Sequence, residues 1–324
     1  MQLTFFSSRI EEEKRRDFLL GSRRFKLGEA EFYYSYSPEL CRLKERVLRA
    51  VNDVAAARRR FDPLTQVLDE RWRLLREADA SASIDHYGKL PLLRTVYRDG
   101  GPILKFPLRQ KPWKNLSTEA GFSIASRFNE IDASQKAIAE AKIIATAISE
   151  EDSLLGPLLF HFLEEYIHPY SRGNGLIGRL GLSRWLSDSL WSPIAISIAW
   201  CFSRDVSRYF LAFKRSESAA AHGNLNPYFE GVLSLIIDGI EAELYEIKER
   251  ETWISNRVLE LESNALTAKE KRIGEAVIKM RAYRPSKLSF RSLAAIMNVS
   301  ERTLYRCLSS LKTKGIVTKN ALSD

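Results

Sequence analysis

Hydrophobic and polar residues alternate at helical spacing along most of the chain. A Ser37-Pro38-Glu39 start, with proline early in the first turn, opens an amphipathic stretch that runs to about residue 60. Phe61-Asp62-Pro63 breaks it, and a second helical pattern follows over residues 64–80. Further helices are expected within 117–148. Leu154, Leu155, Leu158, Leu159, Phe162 and Leu163 mark a buried face and predict a helix over 153–167. Ile177, Leu180, Trp185 and Leu186 do the same for a helix just downstream, and another runs through Tyr209, Phe210 and Leu211. Period-two signals are few. Phe32 to Tyr36 is aromatic and β-like, and residues 90–114 mix Pro, Gly and β-formers as a loop with a short hairpin would. The pattern predicts a mainly α protein with a small β-hairpin, without internal repeats.

Composition narrows the class. Hydrophobic residues make up 45% of the 324, ordinary for a globular chain. The longest apolar run, near residues 193–202, is about half of the roughly 20 residues a membrane span needs, so no membrane partner is expected. Charged residues crowd positions 11–16, where a secretory signal would be apolar. Cys41, Cys201 and Cys307 form no Cys-x-x-Cys pair and read as reduced thiols of a cytoplasmic protein.

Charge changes the picture more. Residues 265–324 carry 13 Lys and Arg against 4 Asp and Glu, while the whole chain has 50 against 41, so the entire excess of nine lies in the last 60 residues. A basic module on a neutral body points to a polyanion, most often nucleic acid. Within it, residues 267–280 and 288–297 read as helices, Asn298-Val299-Ser300 as a capped turn, and 301–314 as a second short helix ended by Gly315. With Ile316-Val317 as the first wing strand, the module resembles a winged helix-turn-helix. Arg302, Thr303, Tyr305 and Arg306 would then stand at the start of the recognition helix, facing DNA bases. Lys312, Lys314 and Lys319 would meet phosphates.

The chemistry concentrates in His168-Pro169-Tyr170-Ser171-Arg172-Gly173-Asn174-Gly175-Leu176-Ile177-Gly178-Arg179. A histidine precedes a Gly-Asn-Gly turn that opens a helix, and an arginine follows one turn later. Glycines let backbone N–H groups close on an anion, the helix start adds partial positive charge, and a histidine can take a proton from a hydroxyl near neutral pH. The segment resembles the signature of the Fic family, His-Pro-Phe-x-Asp/Glu-Gly-Asn-Gly-Arg-x-x-Arg, with His168, Pro169, Gly173, Asn174, Gly175 and Arg179 in place. The resemblance implies a helical core in which AMP passes from ATP, as substrate, to a protein hydroxyl. His168 would be the base, Gly173, Asn174 and Gly175 the phosphate cradle, and Arg179 the outer phosphate clamp. Asn224-Leu225-Asn226-Pro227-Tyr228-Phe229 looks like the family's late helix start.

Two positions depart from the signature. Arg172 replaces the carboxylate that holds magnesium, and Leu176 replaces the first arginine. Exchanging an acid for a guanidinium would repel a metal held in the usual way, by about 4 kcal/mol for each unit-charge pair at about 4 Å. Either Arg172 pairs with phosphate oxygens in the metal's stead, or the site has decayed to a binding pocket. No other metal site is expected, since His86, His161 and His222 lie in no ligand-like spacing. Ser81-Ala82-Ser83-Ile84-Asp85-His86 is similar to the family's inhibitory segment, shortened from Glu to Asp; Ser81 and Asp85 would then restrain Arg179 or Arg172.

The expected organisation is an N-terminal segment and helix over 1–60, a Fic-like core over 61–245, a helical connector over 246–264 and the winged module over 265–324. Two functional readings stand. One is a protein adenylyltransferase linked to DNA; the other is an inactive, nucleotide-binding transcriptional regulator. A third keeps catalysis and changes the group moved. Self-association is left open.

Overall fold

The structure is a computed structural model that describes residues 22–85, 135–168, 173–189, 197–218, 222–284 and 289–316. The described residues form one β-hairpin and eleven helices, the mainly helical fold with a small hairpin that the pattern predicts. The hairpin pairs β1 (Ser22–Leu27) with β2 (Ala30–Ser35) around Gly28, whose φ of 59° suits glycine. The aromatic stretch at Phe32 thus forms a strand, while the hairpin expected within 90–114 lies outside the described residues.

Local sequence sets the helix starts. Ser37 caps α1 (Pro38–Arg58) through Leu40 N–H at 3.0 Å. Asp62 caps α2 (Pro63–Ile84), with a proline at each first turn. Next come α3 (Gln135–Glu151), α4 (Leu155–Ile167), α5 (Asn174–Ser189), α6 (Ile198–Ser203) and α7 (Val206–Glu217). The long α8 (Asn226–Glu262) precedes α9 (Ala268–Ala282), α10 (Phe290–Ile296) and α11 (Glu301–Thr313). Among the described residues, no helix is long and apolar enough to cross a membrane.

α8 is the axis of the main core. Its Val232, Leu233, Ile236, Ile237 and Ile240 are fully or almost fully buried, and it packs along α1 and α7. The hairpin is fastened to its start. Asn226 imitates a strand there: its side chain accepts from Ser35 N–H at 2.9 Å and donates to Ser35 O at 2.8 Å. A second apolar cluster joins Ile273, Val277, Tyr283, Leu293, Leu304 and Leu311 of the C-terminal helices to Leu64 and Leu68 of α2. The junction is lined by alternating rings and guanidinium groups. Arg250 lies 4.5 Å from the Tyr283 ring and 4.1 Å from Trp72, and Arg76 lies 4.1 Å from Trp72 and 3.7 Å from Trp200.

Candidate active site

Helix α4 is buried over most of its length and ends at His168, which takes a left-handed conformation, φ 54° and ψ 55°. For a residue with a Cβ this conformation costs about 1–2 kcal/mol, and here it closes the helix, with His168 N–H bonded to Glu164 O at 3.0 Å. The imidazole Nδ1 lies 3.0 Å from Glu165 O. A carbonyl only accepts, so Nδ1 carries a proton, and the neutral form of the ring keeps its lone pair on Nε2. The ring itself is exposed.

Residues 169–172 lie outside the described residues, and with them Arg172. The chain is described again at Gly173, whose φ of 80° turns it into α5. Gly173 O accepts from Ile177 N–H at 3.0 Å, and Asn174 is 4% exposed. Helix starts present amides that have no intrahelical carbonyl, a setting that favours anions. At Gly175 a Cβ would lie 2.8 Å from an Arg179 nitrogen and 3.0 Å from an Asp85 oxygen, so glycine lets that pair close over the helix start.

One turn into α5, Arg179 is 1% exposed. It donates from Nη2 to Asp85 Oδ2 at 2.7 Å and to Ser81 O at 3.0 Å, and from Nε to Ser81 Oγ at 3.2 Å. Burial opposes its charge, but the Tyr209 and Asp85 oxygens more than compensate and hold its pKa above the usual guanidinium value. The structure therefore brings Ser81, Asp85, Gly175 and Arg179 together. His168, Gly173, Asn174, Gly175, Arg179 and Asp85 line one cavity of about 820 Å³.

The same cavity holds groups that sequence reasoning passed over. Glu165 Oε1 is shut from solvent and has no hydrogen-bond partner among the described residues. Burial raises the Glu165 pKa to about 7, against the opposing charges of Arg179 and His168. Its neighbour Glu164 is raised to about 8, again by burial, helped by the charge of Glu165. Tyr209, from α7, lines the cavity beside Arg179, and its hydroxyl lies 2.9 Å from the Nε2 of His161. Burial first, and then Arg179, lower the His161 pKa to about 3. A signal did exist: His161, Glu164, Glu165 and His168 fall at i, i+3, i+4 and i+7 on an otherwise apolar helix, so polar groups share one of its faces.

Magnesium, which the sequence resemblance implies, wants several oxygen ligands. Among the described residues no group of three or more His, Cys, Asp or Glu is placed to hold a cation. Asp85 is committed to Arg179, and burial favours the neutral form of Glu165. These residues do not fit a resident metal.

In the C-terminal module, Ser300 Oγ accepts from Thr303 N–H at 3.2 Å and caps α11. Arg302, Tyr305 and Arg306 are exposed on its first turns, and Tyr305 is 68% exposed. Lys314 is paired with Glu270 at 3.0 Å. Val317 and Lys319 lie outside the described residues.

No family model matches the chain, and no curated protein matches it. Among solved structures it is similar to the crystal structure of a Fic family protein from Desulfovibrio desulfuricans G20, at 14% identity over 87% of this chain and 91% of that one, with a TM-score of 0.49.

Proposed function

We propose that the cavity binds ATP and that the protein moves AMP from it to a hydroxyl of another protein. One observation carries this reading: an exposed histidine with a bare Nε2, a glycine-opened helix start and a buried arginine line the same cavity. The substrate hydroxyl would give its proton to His168 Nε2 while its oxygen attacks the α-phosphorus. The bond from that phosphorus to the β-bridging oxygen breaks, and pyrophosphate leaves. The start of α5 would hold phosphate oxygens, and Arg179 would hold the outer phosphates. The Asp85–Arg179 pair, with Ser81 behind it, would be the resting state that ATP has to open. Arg302, Thr303, Tyr305 and Arg306 would place the protein on DNA through an α11 whose exposed face is basic.

A second reading, a silent nucleotide-binding regulator, has one observation in its favour. Arg179 is already neutralised and buried by Asp85, so the anion site is occupied by the protein itself. Label transfer from ATP labelled at the α-phosphate, into a cell lysate, decides between the two. Labelling by wild type or Asp85→Ala that disappears in His168→Ala supports transfer. No labelling in any of the three, with DNA binding intact, favours the regulator.

A further inference from the structure

We infer that Lys214 is the ready cation of the cavity, the ammonium that meets the phosphate chain of a nucleoside triphosphate at the cavity rim. The inference rests on the nucleotide reading above and names a residue outside the signature. Lys214 lines the same cavity as His168, Gly175 and Arg179, and it is exposed. It stands in the last turn of α7, whose Tyr209, Phe210, Phe213 and Glu217 share that wall.

The helix is fixed while the ammonium is free. Phe213 is 7% exposed and stacks on Phe162 of α4, with ring centroids 5.8 Å apart and an interplanar angle of 7°. That stack ties α7 to the helix that ends at His168. Ser216 Oγ accepts from Tyr228 N–H at 3.0 Å and fastens the end of α7 to α8. Between these two anchors, the Lys214 side chain makes no hydrogen bond or ion pair to any described residue.

Charge accounting gives the free ammonium its role. Arg179 is paired with Asp85 at 2.7 Å. Leu176, three residues before it, is 1% exposed and adds no charge. Glu217 is an exposed carboxylate on the cavity wall and works against an anion. The phosphate chain of ATP carries several negative charges, which the paired Arg179 does not match by itself. A lysine suits the rim, because its flexible stem lets a point charge follow the ligand. The Arg179 fork is instead held in one orientation by Ser81 and Asp85. Because no partner has to release it, Lys214 can meet ATP before Asp85 has moved.

The test is calorimetric ATP binding to the full chain, in the wild-type and Asp85→Ala backgrounds, with urea unfolding of the same preparations. Lys214→Met keeps the stem and removes the charge. It should weaken ATP about five-fold in both backgrounds, the upper end for an exposed ion pair. The unfolding midpoint should not move, since an unpaired, exposed ammonium supports nothing in the fold. Lys214→Arg should keep the affinity, and Lys214→Glu should weaken ATP further than Lys214→Met. In Lys214→Met the affinity should also fall less steeply as salt rises. ATP affinity equal to that of the parent in Lys214→Met, or a loss in Lys214→Arg as large as in Lys214→Met, overturns the role of Lys214 and leaves the nucleotide reading standing. Absence of ATP binding in both wild type and Asp85→Ala overturns the two together.

Discussion

Replacing Asp85 with alanine should move stability and affinity in opposite directions. The carboxylate lies 2.7 Å from Arg179, whose side chain is 1% exposed while that of Asp85 is 18% exposed. A hydrogen bond to a charged group is worth about 1.5–3 kcal/mol. Water reaches the aspartate side, and Arg179 keeps both of its contacts to Ser81, which argues for the lower part of that range. We expect Asp85→Ala to lose about 2 kcal/mol of folding stability in the absence of ligand. If ATP phosphate takes the place of the carboxylate, the same amount returns as affinity, because nothing has to be displaced: about thirty-fold tighter binding. Urea unfolding and titration calorimetry on the same preparations measure the two quantities. Asp85→Asn should fall between, retaining a neutral acceptor without the charge. A stability loss accompanied by unchanged or weaker ATP binding would refute the reasoning, leaving Asp85 as a support of Arg179 and no competitor of phosphate.

Three further outcomes are expected. Gly178→Ala places its methyl 2.8 Å from the nitrogen of a ring with no exposure, so it should cost about 1–3 kcal/mol; an unchanged urea midpoint would contradict this. Glu164 and Glu165 have folded pKa values raised to about 8 and about 7, so the stability they contribute is complete below their unfolded value near 4.5 and is lost as pH rises through 7 to 8. His161 has the reverse sign but titrates at and below its ordinary 6.5, so between pH 6.5 and 8.5 the glutamates should dominate. Stability should fall across that window, and Glu164→Gln should flatten the fall. On DNA, Arg306→Ala should lower affinity without altering the unfolding midpoint and reduce the magnitude of the salt slope by about one if the arginine meets a phosphate; binding by anisotropy that is indifferent to both Arg302→Ala and Arg306→Ala would remove α11 as the contact.

Much of the fold was legible because its helix starts are written locally. Ser37, Ser300 and the Thr267–Glu270 capping box need only neighbours within three residues to act. The glycine-opened start of α5 was legible for the same reason. What escaped depended on distant partners. α2 was expected to end near residue 80, yet it continues to Ile84, because Ser81, Ala82 and Ile84 are buried against the rest of the core. That extension puts Ser81 at Arg179. The start of α6 is capped from α2, where Glu77 accepts from Ala199 N–H at 2.7 Å and Trp200 N–H at 3.0 Å, a cap drawn from more than a hundred residues away. β1 reads as a charged segment, Ser-Arg-Arg-Phe-Lys-Leu, and becomes a strand through its pairing with β2. His161 looked idle because its partner Tyr209 lies 48 residues on, in another helix.

Helix α2 makes the two ends of the molecule one mechanical problem. Its 22 residues span about 33 Å at 1.5 Å per residue. Leu64 and Leu68 belong to the apolar cluster of the C-terminal helices, while Ala80 and Ile84 belong to the main core. Between them the helix is pinned by charge: Asp69 to Arg58 at 2.9 Å, and Arg76 to Glu243 at 2.8 Å and Glu246 at 2.9 Å. Arg58 and Glu243 are themselves almost completely buried, so these contacts are costly to break singly. Asp85 follows directly on this rod, and its distance from Arg179 is set by how the rod is seated at both ends. Cutting the chain before residue 265 would strip the partners of Leu64 and Leu68 and unseat the helix that presents Ser81 and Asp85. The full-length chain is therefore the molecule in which Asp85→Ala reports on the site, and DNA binding by α11 is best measured in that same molecule.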